Sequence, residues 1–262
     1  VSPSGCSVDN WECIRASSYI YPNTPMTDAQ AAAYTAQGFE IGVHVSTGCA
    51  DYTPTSIETF YASELADFAA AFPSLPAPMT NRTHCIAWSD WDSQALTELA
   101  HGIRLDTTYY YWPSSWVQDR PGFFTGSGIP MRFARQSGAT IDVFQAATQL
   151  TDESGQSFPL HINSLLDGAI GANGYYGVFT ANMHTDYNDG NSQLWSEQIV
   201  SAAQARGVPV VSAKQMLQWL NGRDASTFSN ISWSGNVLTF SVAAASGANG
   251  LQGMLPTASP SG

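Results

Sequence analysis

Basic side chains are scarce in this chain of 262 residues, which has nine Lys and Arg against 21 Asp and Glu and a formal net charge of −12. A surface of that charge repels the phosphates of nucleic acids and of anionic lipids. We therefore expect no nucleic-acid partner. Long apolar runs are also absent, since no stretch approaches the roughly 18–20 residues of a membrane-spanning helix. The sequence accordingly predicts no membrane insertion.

Cysteine is rare as well, and none of the four cysteines belongs to a Cys-x-x-Cys pair of the kind found in zinc–thiolate sites. An even number of cysteines is typical of disulfides formed in an oxidising compartment. We predict the pairs Cys6–Cys13 and Cys49–Cys85, because the first closes a short local loop, and we expect a secreted protein. The alternative is four buried free thiols in a cytosolic protein.

Apolar side chains, by contrast, are plentiful: hydrophobic residues make up 44% of the chain and aromatic residues 12%. This composition is sufficient for a large core and argues against disorder. The eight Trp and eleven Tyr also suit stacking on sugar rings, although aromatic residues more often belong to the core.

Strand-like and helical segments alternate from residue 16 to residue 223. Such alternation predicts βαβ units and a parallel sheet. About six units suggest a (β/α) barrel, although the alternation by itself does not separate a closed barrel from an open, doubly wound sheet. No glycine-rich phosphate loop follows any of these strands, which argues against a nucleotide site. Residues 1–15 are predicted to form a loop closed by a disulfide. Residues 224–262 indicate a β-hairpin and a linker, a small β appendage that could begin a β-sandwich.

Polar residues stand at the ends of several predicted strands. In parallel α/β folds the active site gathers at the carboxyl ends of the strands. Three of the five histidines fall at such ends in three separate units, which favours a functional site over scattered core histidines. The strand-end candidates are His44, Arg82, His84, Asp90, Asp92, Asp106, His184 and Asp186.

The stretch "TDAQAAAYTAQGFEIGVHV" resembles the second motif of the polysaccharide deacetylases, the NodB-homology enzymes. In that family a helix and the phrase Gly-His-Glu-Ile-Gly-x-His lead into a metal-binding histidine, a position that His44 occupies here. "GIRLDTTYYYW" resembles a later strand of the family, and "FTANMH" resembles its closing Leu-x-His motif. The resemblance implies a distorted seven-stranded barrel of the NodB type over residues 16–223.

The resemblance also implies a chemistry and a set of catalytic residues. A divalent metal, usually zinc, would polarise an acetamide carbonyl and activate water. His184 corresponds to the general acid that protonates the leaving amine. Arg82 corresponds to the arginine that orients the catalytic base. The predicted function is therefore an extracellular deacetylase that removes N-acetyl groups from an amino-sugar polysaccharide, most simply as a monomer.

The chain departs from the family pattern at the metal. Gly48 stands where the family has its second metal histidine, and the strand that carries the family's Asp-Asp pair has no counterpart. A rearranged site could be completed by His84, Asp51 or Asp90. We predict His44 and His84 as metal ligands, with Asp90 in the catalytic set.

Aromatic residues near two predicted strand ends are candidates for sugar binding. Trp88 and Trp91 flank Asp90, and Tyr111 and Trp112 lie in an aromatic stretch. Half of a strand's side chains must face the core, so only some of them can meet a substrate. The predicted substrate-binding residues are Trp88, Trp91, Asp106, Tyr111 and Trp112.

Two other functions are compatible with the sequence. One is a metal-free glycan-binding barrel in which Gly48 marks a lost metal site. The other is a glycoside hydrolase that uses Glu153 with Asp90 or Asp186. Its carboxyl groups would be roughly 5 Å apart in a retaining enzyme and roughly 6.5–9.5 Å apart in an inverting one.

Overall fold

The computed structural model describes residues 2–85, 87–109, 127–152, 160–172, 174–186 and 191–253. Within these ranges the chain forms six helices and ten strands. The helices are α1 (Asp28–Ala36), α2 (Pro54–Ala71), α3 (Ser93–Ala100), α4 (Leu160–Ile170), α5 (Asn191–Gln204) and α6 (Ala213–Ala225). The strands are β1 (Ser17–Ile20), β2 (Glu40–Val43), β3 (Thr80–Asn81), β4 (Leu105–Asp106), β5 (Met131–Ala134), β6 (Thr140–Gln145), β7 (Thr148–Thr151), β8 (Thr180–Asn182), β9 (Thr227–Ser234) and β10 (Val237–Ala243).

The chain divides into two compact units, Val1–Lys214 and Gln215–Gly262. The boundary falls inside α6. The second unit contains the antiparallel hairpin of β9 and β10, whose turn has left-handed backbone at Gly235 and Asn236. None of the helices that the structure describes combines the length and the apolar character needed to cross a membrane.

The strands form small separate sheets, and the prediction of a seven-stranded (β/α) barrel is wrong. β1 pairs with β2 and β7 pairs with β8, each in parallel, while a four-stranded sheet has the order β3-β4-β6-β5. Its last strand runs antiparallel to β6. Within the described ranges no sheet closes on itself. Closure requires strands of sufficient length and a consistent stagger, whereas β3 and β4 are only two residues long.

Local sequence signals account for the helices that precede and follow β2. The side chain of Thr27 accepts a hydrogen bond from the backbone N–H of Gln30, whose side chain accepts one from Thr27 in return, a capping box that begins α1. Gly38 then turns the chain toward β2 with φ of 91°. A Cβ there would lie 2.7 Å from Cγ1 of Val8. Thr53 caps α2 in the same way, ahead of Pro54.

A hydrophobic core holds β2 against α2. The helix buries Ile57, Tyr61 and Phe68, whose spacing places them on one face. They pack in one cluster with Val43 and Val45, which are fully buried. The residue between those two valines is His44, so the core fixes the backbone on both sides of this imidazole.

A parallel bridge between Ser46 and His84 joins the segments that follow β2 and β3. The backbone N–H of His84 donates to the carbonyl of Val45 at 2.6 Å. Cys49–Cys85 is a disulfide between the same two segments. Cys6–Cys13 is the second disulfide, and both predicted pairings are therefore confirmed.

Candidate functional site

Two imidazoles meet where β2 and β3 end. Nε2 of His44 lies 3.4 Å from Nδ1 of His84, and the rings are nearly perpendicular. Nitrogen ligands that bind one tetrahedral zinc ion at 2.0–2.1 Å are about 3.3 Å apart. The structure therefore brings together the two histidines predicted as metal ligands, at the separation that a shared ion requires.

The other nitrogen of His44 fixes its tautomer. Nδ1 lies 2.6 Å from the carbonyl oxygen of Arg82, which can only accept a hydrogen bond. The hydrogen is therefore on Nδ1, and Nε2 carries the lone pair, which can accept a hydrogen bond from Nδ1 of His84 or bind an ion. Metal-binding histidines are commonly oriented in this way by a backbone carbonyl.

Burial lowers the pKa of His44 to about 4. The hydrogen bond to Arg82 acts in the opposite direction, and the charges of His84, Arg82 and His184 lower the pKa further. The imidazole is thus neutral at neutral pH, which is the form that binds a metal.

Sulfur atoms border the same site. The ligand atoms of Cys49, His84 and Cys85 all lie within 4.8 Å of one another, so this group could hold a metal ion. In the structure, however, the two sulfurs are bonded to each other, and a metal requires thiolates. The imidazoles are therefore the available donors while the disulfide persists. In the part of the chain that the structure describes, no Asp or Glu forms such a group with them.

The backbone beside the disulfide has unusual conformations. Cys49 and Cys85 have φ of 59° and 60°, a left-handed region that costs a residue with a side chain about 1–2 kcal/mol. Gly48 has φ of 66° as well. A histidine at position 48 would share this penalty, which is a physical reason for glycine where the deacetylase motif has its second metal ligand.

A histidine outside this pair, His184, is held by a carboxylate. Nδ1 of His184 lies 2.8 Å from Oδ1 of Asp152, and the backbone N–H of His184 donates to Oδ2 at 2.6 Å. The hydroxyl of Ser192 donates to Oδ2 as well. Burial acts to raise the pKa of Asp152, but the hydrogen bonds from Ser192 and His184 outweigh it and hold the pKa below its ordinary value. The pair therefore consists of a stable carboxylate and an oriented imidazole.

Asp152 precedes Glu153, the carboxylate of the hydrolase alternative, and was not itself predicted as a site residue. Its partnership with His184 arises because β7 and β8 are parallel and Thr151 pairs with Asn182. That register places the residues that follow the two strands side by side. Nothing in the sequence alone indicates it. Glu153 lies outside the described residues, as do Tyr111 and Trp112.

Tyr21 is a further site residue that the sequence reasoning missed. Its ring centroid lies 5.2 Å from that of His44 and 5.8 Å from that of His84. Burial raises its pKa, and the charges of Glu64 and Asp186 add to the effect. The signal was present, because Tyr21 follows β1 directly and the strand-end rule applies to it.

The guanidinium of Arg82 is held by a backbone carbonyl and a side-chain hydroxyl. Nη1 donates to the carbonyl of Thr107 at 2.6 Å and to the hydroxyl of Thr148 at 2.9 Å. These bonds fix the segment whose carbonyl holds His44. The orientation of a catalytic base by Arg82 stays a prediction.

The predicted tryptophans differ in exposure. Trp88 stacks on Phe133 at 5.5 Å between ring centroids and meets the edge of Tyr109 at 5.8 Å, so much of its surface is used in packing. Trp91 is 60% exposed, and its indole N–H donates to the carbonyl of Ala134. Of these two tryptophans, Trp91 is the one that offers a large aromatic surface to a ligand.

Asp106 lies in a buried polar network and has no exposed surface. It accepts hydrogen bonds from the backbone and hydroxyl of Thr108. Glu98, which is equally buried, lies within hydrogen-bonding reach of Asp106 and accepts from Tyr61 and Asn81. This placement leaves Asp106 no surface for the substrate contact that the sequence predicted, because the strand end is covered by the network.

The two buried carboxyl groups both have raised pKa values. Burial raises the pKa of Glu98 well above its ordinary value, and the charge of Asp106 adds to the shift. Burial also raises the pKa of Asp106. Oε2 of Glu98 meets no donor among the described residues. A protonated Glu98 that donates to Asp106 satisfies both groups.

Asp90 is engaged at the start of α3. Its Oδ1 accepts from the backbone N–H of Asp92 at 3.2 Å and of Ser93 at 2.8 Å. We expect Asp90→Ala to lower the free energy of unfolding by about 1 kcal/mol, because these N–H groups lose their acceptor. Asp90→Asn keeps an acceptor and should preserve stability. Urea unfolding of the two variants measures the difference. If both variants were stably folded and lost the same amount of activity, Asp90 would instead be a catalytic carboxylate.

Comparisons of the chain with models of protein families, with curated proteins and with solved structures returned no match. The case for a function therefore rests on the residues and geometry of this site.

Proposed function

We propose that the protein is an extracellular, metal-dependent deacetylase that hydrolyses N-acetyl groups of an amino-sugar polymer. The observation that carries the proposal is the pair of imidazole nitrogens 3.4 Å apart, His44 Nε2 and His84 Nδ1. A third histidine, His184, is oriented by a buried carboxylate, Asp152. Metal ligands and an oriented acid–base group are the two components that metal-assisted amide hydrolysis needs.

The donor atoms suit zinc. Neutral imidazole nitrogen is a preferred zinc ligand, and hydrolytic zinc sites keep one position for water or substrate. His44 and His84 would supply two protein ligands. A bound divalent ion would polarise the amide carbonyl and lower the pKa of its water.

His184 is the residue to which we assign proton transfer to the leaving amine. Its Nδ1 hydrogen is directed at Asp152, so exchange with the substrate would run through Nε2. Asp152 stabilises the imidazolium form and keeps the ring in one orientation, as carboxylates do for histidines in hydrolases. Ser192 in turn holds Asp152.

The metal is tested by titrating chelator-treated protein with zinc in a calorimeter. We expect about one equivalent to bind to the unaltered protein and none to bind tightly to His44→Ala or His84→Ala. His101→Ala is the matched control, because this histidine pairs with Glu58 away from the imidazole pair. If the unaltered protein bound no zinc, or if it and the three variants bound zinc equally, the proposed metal centre would be ruled out.

The reaction is tested by measuring acetate released from N-acetylglucosamine oligomers by the zinc-loaded protein. We expect release that stops when the metal is removed and returns when it is restored. Zinc binding without acetate release would support the metal centre but contradict the proposed deacetylase activity. Binding of the oligomers without zinc and without acetate release would favour the glycan-binding alternative.

A further inference from the structure

We propose that the Cys49–Cys85 disulfide conceals a second metal site, which forms on reduction from Cys49, Cys85 and His84 and takes a thiophilic divalent ion. The ligand atoms of these three residues already lie within 4.8 Å of one another. The site shares His84 with the pair described above. Its formation does not depend on the proposed deacetylase activity.

The two cysteines are held together by more than their own bond. Their Cα atoms are 5.4 Å apart. The bridge between Ser46 and His84 and the bond from the N–H of His84 to Val45 join the same two segments through the backbone. Reduction therefore leaves both sulfurs next to the imidazole of His84.

The spacing suits a tetrahedral ion. Bonds of about 2.3 Å to sulfur and 2.0–2.1 Å to nitrogen place neighbouring ligand atoms roughly 3.3–3.8 Å apart. The nitrogen of His84 already lies within 4.8 Å of both sulfurs, and breaking the disulfide lets the two sulfurs move apart to this spacing. Water is the candidate for the fourth position, because His44 does not belong to this group of ligand atoms.

The disulfide is accessible to a reductant, because Cys49 is exposed. A dithiol supplies two electrons and two protons, becomes a cyclic disulfide and leaves two thiols on the protein. The ion then replaces the two thiol protons and forms two metal–sulfur bonds and one metal–nitrogen bond. Thiolates favour soft and borderline ions such as Cd²⁺ and Zn²⁺ over hard ions.

The other disulfide provides an internal control. Cys6 and Cys13 are only seven residues apart in sequence, and within the described ranges neither belongs to a group of potential metal ligands. The double variant Cys6→Ser/Cys13→Ser therefore restricts the effect of a reductant to Cys49 and Cys85.

The probe for the test is Co²⁺, because its bonds to thiolates absorb in the near ultraviolet and its bonds to imidazole do not. The Cys6→Ser/Cys13→Ser protein is reduced with dithiothreitol. The dithiothreitol is then removed under anaerobic conditions, and the protein is titrated with Co²⁺. We expect the thiolate band to saturate at about one equivalent in the reduced protein and to be absent from the oxidised protein. Adding Cys49→Ser and Cys85→Ser should abolish the band, and His84→Ala should weaken binding at least tenfold.

Near-ultraviolet circular dichroism establishes whether the reduced protein is folded. No band in the reduced protein, whether it is folded or unfolded, would overturn the proposal, as would an equal band in the oxidised protein. If the double variant does not fold, the unaltered chain with both disulfides reduced is compared with Cys49→Ser/Cys85→Ser. Zinc binding by the oxidised protein is measured separately, so the failure of either site is seen independently of the other.

Discussion

His184→Asn is expected to lower kcat for acetate release by about 10²–10⁴-fold, the usual contribution of a general acid. Zinc affinity should not change, because the predicted ligands are His44 and His84. Asparagine still presents a polar group to Asp152, so the carboxylate is not left buried without a partner. Steady-state kinetics with the zinc-loaded variant measure the effect.

Two further variants distinguish catalysis from general damage to this region. Asp152→Asn should also reduce kcat, since the imidazolium of His184 loses its carboxylate. Gln193→Ala is the control. Gln193 follows Ser192 on α5, and its side chain binds Glu197 on the surface of that helix. Full activity of His184→Asn, with zinc bound, would remove its role as the acid.

Glu98→Ala is expected to destabilise the fold by about 3–5 kcal/mol, the usual cost of removing one member of a buried ionic network. The donors of Tyr61 and Asn81 and the carboxylate of Asp106 would all lose a buried partner. Glu98→Gln is the matched control. Its amide can donate to Asp106 and its carbonyl can accept from Tyr61, so it should cost less than about 1 kcal/mol.

The same pair makes stability depend on pH. In the unfolded chain Glu98 titrates near its ordinary pKa of 4.5, whereas burial and Asp106 raise its pKa in the folded protein. The folded state therefore holds the proton longer, and the stability gained is complete below the unfolded pKa and is lost as the pH rises through the folded pKa. The groups that face Glu98 are Asp106 and Tyr61, and Arg82 acts on Asp106.

Glu98→Gln has no such proton to lose. We therefore expect the free energy of unfolding of the unaltered protein to fall relative to this variant as the pH rises above the unfolded pKa of 4.5. Urea unfolding of both proteins at a series of pH values from 4.5 upward measures the difference. Parallel curves would show that Glu98 is ionised in the folded protein throughout.

The sequence predicted the parts of the site that depend on strand ends. Strand ends marked His44 and His84 as candidates, the deacetylase motif made His44 a ligand and His84 was proposed to complete the site; the structure places their nitrogens 3.4 Å apart. The two disulfides were also predicted, and they are confirmed. These features follow from local patterns and from a small number of possible pairings.

Other features depend on registers and depths that one sequence does not reveal. The prediction of a barrel was wrong because the alternation of strands and helices does not determine whether a sheet closes. β3 and β4 are too short to form part of a closed sheet. Asp152 meets His184 only through the register of β7 and β8. Asp106 ends a strand as expected but is covered by Glu98 and its neighbours.

The Cys49–Cys85 crosslink has a consequence for how the imidazole pair assembles. His44 and His84 are 40 residues apart along the chain. Cys49 follows His44 by five residues, and Cys85 follows His84 directly. In an oxidised but unfolded chain the two histidines are thus separated by a path of a few residues. The disulfide has then already closed the loop between the two segments, so little further entropy is lost when the histidines meet. Their contact behaves as a local one. The oxidised chain can therefore bring its two imidazoles together early in folding, before the sheets that contain β2 and β3 have formed.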